Sequence, residues 1–169
     1  MTDERLKMLL QQLRNGDQRA FSDIYQEMKV PVFTVLVRMT GDRSLAEDLL
    51  QEVFLKIYQQ PPQVEKPRAY LFRMTRNLAV DVLRRSQPTE SLEEQEHLGI
   101  TYDSDVKLDL EQAFSMLTLQ ERQLVAFHLS AGLTFREVAA IVERPLGTVL
   151  WQYQKAIGKL RMMLDGGCL

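Results

Sequence analysis

Arg73, Arg76, Asn77 and Arg84 are the side chains of this sequence whose types and spacing best suit chemistry with another molecule. On a helix they project from one side, three guanidiniums and an amide, next to Tyr70 and Phe72. Such a face could hold phosphates while its rings and amide stack on or hydrogen-bond exposed bases. The competing reading is a basic face that is merely solvated, because charged residues are mostly exposed. Nothing beside it suggests covalent chemistry. His97 and His128 are isolated, no Ser/His/Asp or metal-ligand spacing occurs, and there is no glycine-rich phosphate loop. The single cysteine, Cys168, can form neither an internal disulfide nor a multi-thiolate site. These residues point to a binding protein with no catalytic residue, no metal and no cofactor. A pure protein-interaction module is the third class, and the basic face argues against it.

Two further faces carry recognition chemistry. From Leu133 to Leu164 the pattern reads as a helix-turn-helix. Thr134-Phe135-Arg136-Glu137 has the spacing of a capping box, Phe135, Val138, Ala139 and Val142 form one stripe, and Glu143-Arg144-Pro145 interrupts it with a proline suited to a first helical turn. The stripe resumes through Val149, Tyr153, Ala156, Ile157, Leu160 and Leu164, with Thr148, Trp151, Lys155, Lys159 and Met162 opposite. In duplex readers of this geometry the start of the second helix enters the major groove, which nominates Thr148, Leu150, Trp151, Gln152 and Lys155. An ordinary helical hairpin is equally compatible with the spacing. The other face belongs to a helix opened by Ser44-Leu45-Ala46-Glu47, read as a capping box, with an inner stripe of Ala46, Leu49, Leu50, Val53, Phe54, Ile57 and Tyr58. Its outer side, Asp48, Gln51, Glu52, Leu55 and Gln59, is acidic and amide-rich around one leucine, a patch for a basic partner or simply a solvated face.

The elements that must position these faces are all helical. Leu6, Leu9, Leu10 and Leu13 make a first stripe ending at Asn15-Gly16, and Asp17 can cap a second helix carrying Phe21, Ile24, Tyr25 and Met28. Pro31 then opens a third through Val32, Phe33, Val35, Leu36 and Met39, closing at Gly41. Pro61-Pro62 ends the Ser44 helix, and Pro67 begins the basic one, with Leu71, Met74, Leu78 and Val82 as its core seam. Residues 87–107 show no stripe and many acids, including Glu90, Glu93, Glu94, Glu96, Asp103 and Asp105, and mark a domain boundary. Beyond it Leu108, Leu110, Phe114 and Leu117 suggest a helix, Thr118-Leu119-Gln120-Glu121 a third capping box, and Gln123 to Ala131 a helix ending at Gly132.

With 169 residues, 45% of them hydrophobic, the chain can bury a real core, and a formal net charge of −2 confines nucleic-acid binding to local patches. No segment reaches the roughly 18 consecutive apolar residues of a membrane span, and the acidic start Met1-Thr2-Asp3-Glu4 lacks a signal-peptide core. The expectation is a cytoplasmic protein without membrane insertion. Its fold class is all-α: two small helical domains, residues 1–87 and 108–169, joined by an acidic flexible linker, 88–107, with the helix-turn-helix in the second.

Three segments in this order resemble the extracytoplasmic-function group of RNA polymerase sigma factors, in the sigma-70 family. Ala46-Glu47-Asp48-Leu49-Leu50-Gln51-Glu52-Val53-Phe54 is similar to its polymerase-docking helix. The run from Pro67-Arg68-Ala69-Tyr70-Leu71-Phe72-Arg73 to Arg85 resembles its promoter-melting helix, and Glu137-Val138-Ala139 with Pro145-Leu146-Gly147-Thr148-Val149 resembles its duplex-reading unit. The resemblance covers nearly the whole chain. It implies an alternative sigma factor that docks core RNA polymerase through Asp48, Gln51, Glu52, Leu55 and Gln59. Minus-ten DNA would be met by Arg68, Tyr70, Arg73, Arg76, Asn77 and Arg84 with the loop from Gln60 to Lys66. The minus-thirty-five duplex would be met by Arg136, Thr148, Leu150, Trp151, Gln152, Gln154 and Lys155. An anti-sigma factor is the implied inhibitor, and the acidic linker would thread toward the polymerase's RNA channel. One segment departs from the family, which places basic residues directly after Gly-Thr-Val where this chain has Leu150, Trp151 and Gln152. That change keeps open the alternative of a sigma-like DNA-binding regulator that does not direct initiation alone.

Overall fold

The computed structural model describes residues 1–86 and 108–166, and within them every regular element is helical. The linker, His97 and Cys168 lie outside the described residues. Helix α1 spans Asp3–Arg14 and buries Leu6, Leu9, Leu10 and Leu13, the stripe expected of it. Asn15 ends the helix, Gly16 turns the chain at φ 93°, and the Asp17 side chain accepts from the Arg19 N–H to cap the next.

Helix α2 runs without interruption over Gln18–Thr40, with Pro31 inside it, where the sequence had suggested two helices. An internal proline costs about 3 kcal/mol through its missing N–H and its ring. Against that stands one continuous buried face, Ile24, Met28, Val32, Val35, Leu36 and Met39, each at most 2% exposed. Each fully buried side chain of this kind contributes about 1.5–3 kcal/mol, so burial along both halves outweighs the break. The helix closes at Gly41 in the left-handed conformation, as expected.

Helix α3 (Arg43–Gln59) is capped by Asp42, whose carboxylate accepts from the Leu45 N–H, and not by Ser44. The reason lies one residue upstream. Gly41 turns the chain sharply enough that the extended residue is already Asp42, pinned by Thr40 Oγ1 accepting from its N–H at 3.2 Å, so Ser44 falls inside the first turn. Of the expected inner stripe, Tyr58 is instead 43% exposed.

Helix α4 (Pro67–Arg85) starts at Pro67 as expected but is rotated from the predicted seam. It buries Leu71, Phe72, Thr75, Ala79, Val80 and Leu83, while Met74, Leu78 and Val82 pack at the margin. Two faces of α4 are covered: α1, α2 and α3 lie on one, and the C-terminal half on the other. Phe72, expected beside the binding face, is fully buried with its ring edge-on to Phe127 at 6.3 Å between centroids.

The second half comprises α5 (Leu108–Ser115), α6 (Leu119–Val125), a π turn (Ala126–Ser130), α7 (Phe135–Val142) and α8 (Leu146–Gly166). Both predicted capping boxes are present, Thr118 with Glu121 and Thr134 with Glu137. The segment expected to be one helix from Gln123 to Ala131 widens at Ala126, where the Ala131 N–H reaches the Ala126 carbonyl at 3.1 Å. Pro145 immediately precedes α8, its carbonyl accepting from the Val149 N–H. One apolar cluster runs from α1 through α4 into Leu124, Phe127, Leu133, Ile141 and Val149, so the two described halves share a core. A smaller cluster joins Phe114 and Leu117 to Ala156 and Leu160.

Candidate nucleic-acid interface

The ends of α3 and α4 frame an open groove of about 530 Å³, lined by Lys56, Gln59, Gln60, Tyr70, Arg73, Met74, Asn77 and Leu78. That volume falls within the roughly 300–1,000 Å³ of sites that hold small organic groups. Tyr70, Arg73 and Asn77, nominated from spacing, meet here with Gln60 from the preceding loop. Tyr70 is 39% exposed and Arg73 and Asn77 are exposed, so a ring, a guanidinium and an amide share one wall. Lys56 on the opposite wall was not singled out from the sequence. No local pattern marks it, because it joins Tyr70 and Arg73 only where α3 packs beside α4. Met74 and Leu78, read as core, are half-buried and line the groove as well.

Arg68, Arg76 and Arg84 do not line the groove. Arg84 is exposed at the far end of α4. Arg68 donates through Nη2 to the Ala131 carbonyl, Arg73 through Nη2 to the Ala140 carbonyl at 3.1 Å, and Arg76 through Nε to Gln123 Oε1 at 2.9 Å. Three guanidiniums of the expected DNA face therefore bind acceptors of the C-terminal half. Burial pulls Arg76 below the usual arginine range, with Glu143 opposing that shift and Arg84 and Arg144 adding to it; a guanidinium remains cationic regardless. Arg38 of α2 crosses the same boundary, donating to Ser130 Oγ at 2.7 Å and standing 4.5 Å over the Phe114 ring.

The outward side of α3 matches its expected surface. Asp48, Gln51, Glu52, Leu55 and Gln59 are exposed together, Leu55 at 53%. The basic neighbour Lys56 stands 3.9 Å from Glu52, an exposed pair on the same side.

At the helix-turn-helix, Glu143 ends α7 with φ 56°, a left-handed position at which a non-glycine residue is uncommon. On α8 Trp151 is 61% exposed, and Lys155 places its ammonium 5.4 Å from the indole centre. Thr148, Leu150 and Gln152 are half-buried, Gln154 and Arg136 exposed. The Gln152 amide lies 3.4 Å from that of Gln120. Turned to satisfy its neighbours, the Gln120 oxygen faces the Arg144 guanidinium. Lys159, expected on the outer face, instead pairs with the buried Glu121 at 2.9 Å, because the capping-box carboxylate is turned toward α8. Leu164, expected on the inner stripe, is 42% exposed, whereas Met162 is outward as expected. His128 is a packing residue: it stacks on Phe135 at 4.0 Å, meets Tyr153 edge-on, and its Nδ1 lies 2.8 Å from the Leu133 carbonyl. Among the described residues no helix is long and apolar enough to cross a membrane.

Comparison with known proteins bears on the same segments. Residues 24–89, which contain α3 and α4, match sigma-70 region 2. The chain is 26% identical to the ECF RNA polymerase sigma factor SigW of Bacillus subtilis (strain 168), over 94% of this chain and 96% of that protein. It is also 26% identical to the ECF RNA polymerase sigma factor SigK of Mycobacterium tuberculosis (strain ATCC 25618 / H37Rv), over 95% and 94%. Among solved structures, CnrH in complex with the cytosolic domain of CnrY superposes with a TM-score of 0.72 at 20% identity, over 96% of this chain and 98% of that one. RpoE in complex with the anti-sigma factor NepR from Bartonella quintana gives 0.63 at 21% identity, over 85% and 97%. Both likenesses are of fold.

Proposed function

We propose that the chain is an extracytoplasmic-function sigma factor of the sigma-70 family, and from that premise assign a role to each face described above. As an alternative sigma factor it binds core RNA polymerase and directs promoter recognition, DNA melting and initiation. The observation that carries the residue assignments is the groove between α3 and α4, where Tyr70, Arg73, Asn77 and Gln60 converge. An unpaired minus-ten base would enter it, stacking on Tyr70 and hydrogen-bonding Asn77, while Arg73 holds the backbone. Taking a base out of the stack costs a few kcal/mol, and a preformed groove offsets part of that cost. Asp48, Gln51, Glu52, Leu55 and Gln59 dock the polymerase. Arg136, Thr148, Leu150, Trp151, Gln152, Gln154 and Lys155 meet the minus-thirty-five duplex. The functional division follows residues 1–87 and 108–169, with 88–107 as the connection between them.

In the described arrangement Arg68, Arg73 and Arg76 are bound to the C-terminal half, so the groove is already open but freeing all three guanidiniums for DNA requires the two halves to part. The protein acts as a recognition subunit, with no reaction of its own, in the cytoplasm where the polymerase works. An anti-sigma factor is its inhibitory partner, in keeping with the complex of RpoE with NepR. Transcription by core polymerase plus this protein from a randomised promoter library tests the whole reading. Selective initiation at one pair of elements is expected; initiation no more selective than with core polymerase alone would refute it.

A further inference from the structure

Helix α4 begins without a cap of its own. Lys66 makes no side-chain hydrogen bond to the first turn, and Pro67 has no N–H, so the first donor needing a partner is the Arg68 N–H. That partner comes from the other end of the domain: Asp3 Oδ1 accepts from it at 2.9 Å. Two more bonds run from α1 to the segment that joins α3 to α4. Lys7 Nζ donates to Glu65 Oε2 at 2.6 Å, and Arg14 Nη1 donates to the Pro62 carbonyl at 2.6 Å. Positions 3, 7 and 14 share one narrow strip of a helix surface, bordering the buried leucines. Their targets run in the opposite direction, from Arg68 back through Glu65 to Pro62. The strip therefore lies antiparallel along the loop and holds it at three points.

These ties add little to the stability of the fold. The side chains of Lys7 and Glu65 are 39% and 91% exposed, and an exposed ion pair is a weak contributor; the buried leucines of α1 already dock it. What the ties determine is the path of residues 60–66 and the starting point of α4. Gln60 and Tyr70, one on each side of that segment, line the groove. We propose that the Asp3, Lys7 and Arg14 strip of α1 is a positioning element for minus-ten specificity, which keeps the loop and the start of α4 where the groove accepts one set of bases. The inference rests on the assignment of that groove to minus-ten DNA. None of the three residues contacts DNA in this reading.

The full chain carrying Asp3→Ala and Arg14→Ala is compared with wild type in two measurements. Hydrogen–deuterium exchange should rise roughly threefold to tenfold over residues 60–68, the size of losing one or two ordinary hydrogen-bonded ties, and stay unchanged in α2 and α3. With core polymerase on a library randomised at the minus-ten element, the preference for the best element over its single-base variants should fall by a similar factor. Asp3→Asn with Arg14→Lys, which keeps an acceptor and a donor in place, should restore both readouts. Unchanged exchange over 60–68 overturns the clamp. Raised exchange with unchanged base preference overturns the specificity role, as does failure of the conservative pair to restore it. Wild-type protein without selective transcription would refute the function and the specificity role together, and the exchange measurement would still decide the clamp.

Discussion

Replacing Gln123 by alanine should tighten binding of minus-ten DNA, although Gln123 lies in the half proposed to read the other element. Its Oε1 accepts from Arg76 Nε at 2.9 Å, and Gln123 itself is 5% exposed. A hydrogen bond to a charged group contributes about 1.5–3 kcal/mol. Arg76 is only half-buried and can recruit water, so the lower end applies. About 1.4 kcal/mol corresponds to a factor of ten in an equilibrium. If the closed arrangement dominates in free protein, apparent affinity for a ligand of the open one scales with the open fraction. Gln123→Ala should therefore improve affinity for a single-stranded minus-ten oligonucleotide by up to about tenfold, whereas Arg76→Ala should not, because it removes a proposed DNA contact as well as the tie. Fluorescence anisotropy on the full chain at one fixed salt concentration reads both, with circular dichroism to verify the fold. Unchanged or weakened binding by a folded Gln123→Ala protein would show that the two halves do not compete for Arg76.

Three other outcomes are expected. Asp48→Lys with Glu52→Lys should weaken association with core polymerase at unchanged helix content, because exposed substitutions away from caps shift stability by less than about 0.5 kcal/mol; wild-type affinity in a pull-down titration would remove the docking assignment. Arg73→Ala and Arg84→Ala should each lower the salt slope of promoter binding by about one, and Asn77→Ala should alter minus-ten base preference at nearly constant slope; identical behaviour of the three would erase the division between backbone and base recognition. Trp151→Ala should weaken binding of an A/T-rich minus-thirty-five duplex by about 1–3 kcal/mol for each base interaction it removes and spare polymerase binding, whereas unchanged duplex affinity together with weakened protein association would make Trp151 an interface residue.

Features encoded locally could be read from the sequence, except the Ser44 box, which lost its place to Asp42 after the turn at Gly41. The Thr118 and Thr134 capping boxes, the stop at Asn15-Gly16 and the left-handed close at Gly41 each depend on a few adjacent residues, and each appears where spacing put it. Choices made by packing could not be read the same way. Pro31 looked like a helix start because its local effect is to break one, and only the continuous buried face from Ile24 to Met39 reverses that. The seam of α4 was misplaced because periodicity assumes one covered face, whereas α4 is covered on two, which is also why Phe72 is lost to the core. Of the candidate sites, the α3 surface was legible because exposed polar residues at helical spacing need no tertiary information. The groove was half legible: Tyr70, Arg73 and Asn77 lie on one element, but Lys56 belongs to another, and no pattern within α4 can indicate it. Lys159 shows the same limit, since its partner Glu121 is 38 residues away.

The π turn at Ala126–Ser130 sets a compass bearing. A π turn holds one residue more than an α turn, and each residue of an α-helix advances the outward direction by about 100°. The residue count between α6 and Gly132 thus fixes the azimuth at which the chain departs toward α7 and α8. Lengthening or shortening that turn by one residue would swing α8 around the axis of α6 while leaving every side chain on it unchanged. Where Trp151 and Lys155 point is therefore a matter of counting residues in a segment that contains neither. Two chains with identical α8 helices but a different residue count in this turn would present them on different bearings.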